Sequence, residues 1–225
     1  MGINKKSKYN VVLPRGYLSY SAYILWKKDK VGFRRKYYEN EKSFETVETI
    51  FGKKIAKMLE DTGGYITLAD GTQKKIRSHG KMEKHIEVNL KGIPLMGYLD
   101  SFCDDKRAII EYKTGHLSKD GKVPWDRIKV LKHKQLDFYS LLSELKYGEV
   151  DPNCWLIWLE TKFQKDSREF AGHKLEAQSR RLELSGNVLE FPRIIYKYER
   201  ENIKKDIIKV ALEIHDDYAR YTKRS

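Results

Sequence analysis

The sequence predicts an α/β (α+β) domain with the element order αβββαβ and extra helices at both ends, and three observations carry that expectation. Apolar residues recur at helical spacing in two stretches, 44–59 and 127–146. Between them, short alternating segments separated by turn residues spell a three-strand meander. After the second helix, Cys154-Trp155-Leu156-Ile157-Trp158-Leu159 is an unbroken apolar run of strand length. The 225 residues suit one domain, 1–225, with its core at about 44–160, an N-terminal helical segment at about 17–40 and a C-terminal strand and helix at about 187–223.

Taken in order, Lys5, Lys6 and Lys8 make a basic start, and Val11-Val12-Leu13-Pro14 leads to a turn at Arg15-Gly16. Ser19 or Ser21 caps a helix whose apolar side begins at Tyr23, Ile24 and Trp26 and resumes at Phe33, Tyr37 and Tyr38 after a break near Gly32. The second helix carries Phe44, Val47, Ile50, Phe51, Ile55, Met58 and Leu59 on one side, and Asp61-Thr62-Gly63-Gly64 stops it. Residues 65–80 read as short strands about an Asp70-Gly71 hairpin turn.

In 84–90, Ile86, Val88 and Leu90 alternate with His85, Glu87 and Asn89, and a Lys91-Gly92 turn leads into a strand ending at Asp100. A turn at Cys103-Asp104-Asp105-Lys106 then gives a strand over 108–113. The helix of 127–146 bears Ile128, Leu131, Leu136, Phe138, Leu141, Leu142 and Leu145. A polar segment, 161–181, precedes a further strand over 188–198 with Ile194, Tyr196 and Tyr198. A last helix at about 199–221 packs Ile203, Ile207, Ile208, Val210, Ala211, Ile214 and Tyr218 and ends among Arg220, Lys223 and Arg224.

Three charges sit in the meander where apolar strands end. Side chains alternate along a strand, so Glu111 and Lys113 share one face while Ile110 and Tyr112 take the other. Antiparallel pairing across the turn sets Asp100 nearly opposite residues 109–111, which lets both carboxylates reach one divalent cation. Charges that close buried strands are costly unless paired or bound to metal. Two acids and a lysine suit phosphodiester hydrolysis. On the helix that follows, Gln135 and Tyr139 are i and i+4 and share a face.

Composition points the same way: 45 Lys and Arg against 32 Asp and Glu give a formal charge of +13, with no long apolar run, so a polyanion such as DNA is the expected partner and a membrane is not. Cys103 and Cys154 are too few for a disulfide framework and are not spaced for zinc. Together with a basic start that lacks the apolar core of a signal peptide, they lead to the expectation of a cytoplasmic protein.

These residues resemble the PD-(D/E)XK nuclease superfamily, in particular its RecB-like and lambda-exonuclease-like branch. Gly97-Tyr98-Leu99-Asp100 matches G-x-x-D, Glu111-Tyr112-Lys113 matches D/E-x-K, and Gln135 with Tyr139 matches Q-x-x-x-Y. The resemblance spans residues 18–139. It implies a restriction-endonuclease-like core, with a central mixed β-sheet flanked by helices, and DNA hydrolysis dependent on Mg²⁺ or Mn²⁺. Asp100, Glu111 and the Tyr112 carbonyl would hold the metal, Lys113 would act on water or the transition state, and Gln135 and Tyr139 would position the lysine or a phosphate.

The activity expected from the resemblance is exonuclease-like, in recombination, repair or phage and defence DNA processing. The alternatives are a restriction-type or CRISPR-adaptation nuclease and a catalytically silent nucleic-acid-binding module. Many relatives place a metal-binding His four residues after a helix glycine; here Gly52 plus four is Ala56, with Glu60 one turn on as a weak substitute. Lambda-exonuclease-like enzymes also work without that His. The four-cysteine iron-sulfur cluster of some relatives is excluded by the cysteine count. Glu83 and Glu87, where some relatives use an acid, read rather as salt-bridging surface residues, His79 and His85 have no assigned role, and Trp125, in a polar loop at the mouth of the site, reads as an anchor for the next helix, with stacking on a base as the alternative.

Overall fold

The structure is a computed structural model that describes residues 9–42, 45–103, 108–149, 151–164 and 181–223. The basic start, Phe44, the turn at 104–107, most of the polar segment 161–181 and Arg224 lie outside these residues. The elements are β1 (Leu18–Ser19), α1 (Tyr20–Lys28), α2 (Lys30–Tyr37), α3 (Val47–Thr62), β2 (Tyr65–Thr67), β3 (Gln73–Lys75), β4 (Lys81–Leu90), β5 (Ile93–Cys103), β6 (Ala108–Gly115), α4 (Arg127–Leu131), α5 (Lys134–Tyr147), β7 (Asn153–Phe163), β8 (Leu182–Ile194) and α6 (Lys197–Thr222).

The main sheet is mixed and runs β1-β5-β6-β7-β8 with β4 on β5, while β2 and β3 form a small hairpin around Asp70-Gly71. Strand β4 occupies one edge of β5 along most of its length. The other edge is shared: β1 pairs in parallel at Leu95 and Met96, and β6 joins antiparallel at Ser101, Phe102 and Cys103. Residues 97–100 therefore lie in a gap between two strand partners. Helix α5, with Leu136, Phe138, Leu141 and Leu142, and α6, with Ile203, Ile207 and Ile214, cover one face of the sheet. Val47, Phe51, Ile55 and Leu59 of α3 cover the other, with Ile66 and Ile76 beside them. This is the expected mixed sheet flanked by helices. Among the described residues no helix is long and apolar enough to cross a membrane.

Several boundaries differ from the sequence reading, each for a local reason. The first helix breaks at Asp29, not near Gly32: Asp29 ends α1 and caps α2 by accepting from the Gly32 N–H at 2.8 Å. A Cβ on Gly32 would lie 2.3 Å from the Asp29 carboxylate, so the glycine makes room for the cap. The second helix starts at Val47, capped by Thr46, and ends on Gly63 at φ +64°.

The stretch 127–146 is two helices, and Ile128 and Leu131 are 64% and 50% exposed, so neither belongs to the core. The extended backbone at His133 makes the break, and Arg193 donates to the carbonyls of Val130 and His133. Strand β8 ends at Ile194, earlier than expected, because Tyr196 and Glu199 form a capping box that begins α6, leaving Tyr198 on the helix.

Arg193 also joins Asp137 at 2.5 Å and Glu199 at 2.7 Å, and Lys134 reaches Asp137 from the other side at 2.8 Å. Asp137 is fully buried and Arg193 nearly so, which makes the cluster the joint between α5, β8 and α6. Breaking a buried pair leaves an uncompensated charge, so Arg193→Met is expected to cost about 3–5 kcal/mol in urea unfolding, whereas a cost under about 1 kcal/mol would show that Lys134 alone suffices for Asp137.

Candidate active site

The gap in the sheet is where the sequence-predicted residues meet. Along β5, Leu99 and Phe102 both enter the core under α5, although strict alternation would put them on opposite faces. Ser101 pairs with Ile110, which belongs to the core under α3. The strand thus changes face at Asp100. On the neighbouring strand Glu83 lies opposite Asp100, between the pairs Met82–Ser101 and Lys84–Leu99, and its φ of +47° is the left-handed value a strand residue avoids. The two irregularities are in register.

The change of face frees the Asp100 carboxylate to turn toward β6, where its Oδ2 accepts the Tyr112 N–H at 2.7 Å. A side chain stands where a ladder partner would. Glu111 is 3% exposed, and its Oε1 accepts from Lys113 Nζ at 2.5 Å while Oε2 has no partner among the described residues. Lys113 also donates to Gln135 Oε1 at 3.0 Å, and Gln135 Nε2 donates to the Tyr139 hydroxyl at 3.0 Å. That chain fixes the amide's orientation, because only its oxygen can face an ammonium. Two of the three Lys113 N–H groups are used in these bonds.

Helix α5 reaches this position because Gly97 has no side chain. A Cβ there would lie 2.7 Å from Leu142 and 3.0 Å from Tyr139. All five predicted residues, Asp100, Glu111, Lys113, Gln135 and Tyr139, are therefore brought together, with the Tyr112 backbone beside them. On the opposite face α3 crosses β6 at Gly52, whose added Cβ would touch Thr114 at 3.2 Å. Ala56 follows one turn later, and Glu60 one turn after that.

The electrostatics follow from two carboxylates and one amine out of water. Burial, and then the charge of Glu111, hold the Asp100 carboxyl well above the usual carboxylate range, against the Tyr112 N–H and Lys113. Burial raises Glu111, while Lys113 and Gln135 pull it down. Burial disfavours the Lys113 ammonium, but Glu111 and Asp100 outweigh it and hold the amine above its ordinary value.

Glu83 is partly buried, and burial, then the charges of Glu60 and Glu111, raise its carboxyl. Glu87 lies 3.3 Å from His85 as a surface pair. Among the described residues no three His, Cys, Asp or Glu side chains converge as a metal cage. The two carboxylates are the side-chain oxygens there that fit a divalent cation, and the buried Glu111 Oε2, without a partner among the described residues, is an oxygen such an ion would satisfy.

Two neighbours of the site carry no chemistry in the sequence reading. Tyr20 of α1 feels the charges of Lys113 and Glu111, and His133 lies against the rings of Tyr20 and Trp125. Burial, with Lys113 and Arg193 nearby, lowers His133 to about 4. No local pattern marks His133, because it arrives through the break before α5, whereas Tyr20 belongs to Leu18-Ser19-Tyr20-Ser21 at the start of the first helix, a stretch given no chemistry. Trp125 packs on the core and on His133, as an anchor would.

No protein-family model matches the chain, and no curated protein does. Among solved structures it is similar to a candidate exonuclease from Eubacterium rectale, at 10% identity over 96% of this chain and 88% of that one, with a TM-score of 0.56. A phage related exonuclease from Haemophilus somnus 129PT matches at 12% identity over 92% of this chain and 86% of that one, with a TM-score of 0.46. An alkaline exonuclease from Laribacter hongkongensis matches at 12% identity over 93% and 92%, with a TM-score of 0.42. The first shows a shared fold; the other two, below 0.5, carry no argument.

Two measurements probe this arrangement. Asp100→Asn removes one of two facing acids, so the variant should melt at a higher temperature than wild type without divalent ions at pH 7, and a Mn²⁺-dependent rise expected of wild type should be absent from the variant. Equal Mn²⁺ responses in both proteins would take Asp100 out of any metal site. His133, depressed in the fold, contributes stability that is present above its unfolded value near 6.5 and is lost as pH falls toward about 4. His133→Phe keeps the ring contacts and should flatten the stability profile between those pH values; an unchanged slope in that window would show that other groups set it.

Proposed function

We propose that this protein is a metal-dependent DNA nuclease, with Asp100, Glu111 and the Tyr112 carbonyl holding Mg²⁺ or Mn²⁺. The observation that carries the reading is the buried Glu111 carboxylate, with one oxygen on Lys113, the other without a partner among the described residues and Asp100 across the strand pair. A fold that keeps two acids and one amine out of water carries local negative charge that a cation would balance. The formal charge of +13 supports a polyanionic substrate, and the shared fold supports the superfamily resemblance.

Bound there, the ion would offset charge developing on the phosphoryl oxygens and lower the pKa of its water. The protein's own groups do the rest. Lys113 is held charged by Glu111 and Asp100 and presents its remaining N–H toward the attacking water or a phosphoryl oxygen. Gln135 takes one Lys113 hydrogen and is itself fixed by Tyr139, so the ammonium keeps one direction. Glu111 and Asp100 have raised affinities for protons, so both must be deprotonated for the metal to bind, and cleavage would rise with pH across that range. We place the activity with exonuclease-like processing of DNA.

A second reading keeps the fold and the basic surface but not the chemistry: a silent nucleic-acid-binding module. Ala56, which offers no ligand where many relatives have a His, favours it. One assay decides between them. Wild type with Mn²⁺ should cleave linear DNA, and Asp100→Ala, Glu111→Ala or Lys113→Ala should each lower kcat by about 100-fold or more while most of the DNA affinity remains. Absence of cleavage by wild type on linear, circular and single-stranded DNA would leave the silent binder.

A further inference from the structure

We infer that the groove between α4 and the end of β8 docks an acidic peptide of a partner protein through a bulky apolar side chain. The groove measures about 340 Å³ and is lined by Arg127, Val130 and Leu131 of α4 with Phe191 and Pro192 of β8. None of these residues belongs to the candidate active site, so the inference stands or falls apart from the nuclease reading.

A surface helix turns its apolar side inward. Helix α4 buries Val130 but leaves Leu131 and Ile128, one turn apart, 50% and 64% exposed. Single exposed apolar residues are ordinary, whereas Leu131 walls a groove whose other lining is mostly apolar, with Ile128 beside it. The groove is also fixed before anything enters it. Arg193 of β8 donates to the carbonyls of Val130 and His133, which holds the short helix beside the strand, so an occupant has little left to order.

The rim is basic. Arg127 and Leu131 are i and i+4 in the wall of the groove, and Ile128 with Lys132 forms the next such pair around the helix. Arg127 and Lys132 make no ion pair among the described residues, while Lys129 is turned back on its own loop, donating to the Pro124 carbonyl at 2.7 Å with Asp126 3.9 Å away. Two unpaired cations beside apolar surface complement carboxylates beside an apolar side chain.

Other occupants fit less well. A nucleic acid would answer the cations and leave Ile128 and Leu131 without a match. A second copy of this chain brings its own formal charge of +13 to a basic rim. An added strand is disfavoured too, because β8 pairs only with β7 among the described residues and Pro192 takes a backbone donor from that edge.

The test titrates the full chain against a fluorescein-labelled peptide that sets a Leu-Phe pair in a run of aspartates, with anisotropy as the readout. Leu131→Ser and Arg127→Ser should each bind it about tenfold more weakly than wild type. Replacing the Leu-Phe pair by Ser-Ser should weaken wild type by a similar factor and erase its advantage over Leu131→Ser.

Equal binding by wild type and Leu131→Ser, or undiminished binding of the Ser-Ser peptide, would show aspartates meeting a basic protein at large and would overturn the groove. A wild type that sediments as a dimer while Leu131→Ser sediments as a monomer would overturn it in favour of a second copy, and DNA that loses the same tenfold on Leu131→Ser would do so in favour of nucleic acid. Should the variants fail to fold, the two peptides on wild type decide alone.

Discussion

The site depends on Glu111 being ionisable where water does not reach. A buried carboxylate is tolerable only with partners, and the strand gives it one, Lys113, from the same face two residues on. That amine is then shared with Gln135, and Gln135 is fixed by Tyr139. The sequence spacing, the helix placement and the absent side chain at Gly97 are all conditions for this chain of contacts. A bulkier residue at 97 would push α5 outward and take Gln135 from the lysine. The requirement of a glycine three residues before the aspartate thus has a packing cause that lies on another element.

The parts legible in the sequence were those with a period. Helix α3 and the alternation of β4 from residue 84 onward could be read because each buries one face, as could the apolar run of β7. Glu111 and Lys113 were legible by the same rule of two. Asp100 was located through a motif, but its orientation was not readable. The strand changes face there, and alternation fails at the one residue that most needed it. The signal for that failure lies on another strand, in the backbone of Glu83.

The split of 127–146 was hidden for a different reason. Ile128 and Leu131 fit the helical period of the residues that follow, yet they are exposed, because His133 restarts the chain in a new direction. The carbonyls freed by that break are taken by Arg193, more than fifty residues away. Such a long-range answer leaves no trace in local sequence. Nor does the closeness of Glu83 and Glu60 to the acids, since it follows from α3 lying across the sheet.

One feature of the gap reaches beyond the chemistry it hosts. The Tyr112 amide is bonded to the Asp100 carboxylate, while its neighbours in β6 belong to a regular ladder with β7. Its escape to solvent deuterium is then governed by a side chain that changes charge or takes a ligand, and not by the opening of the sheet. The molecule carries an intrinsic reporter: a single backbone resonance whose exchange rate and position would follow the state of the carboxylate, without a label and without turnover.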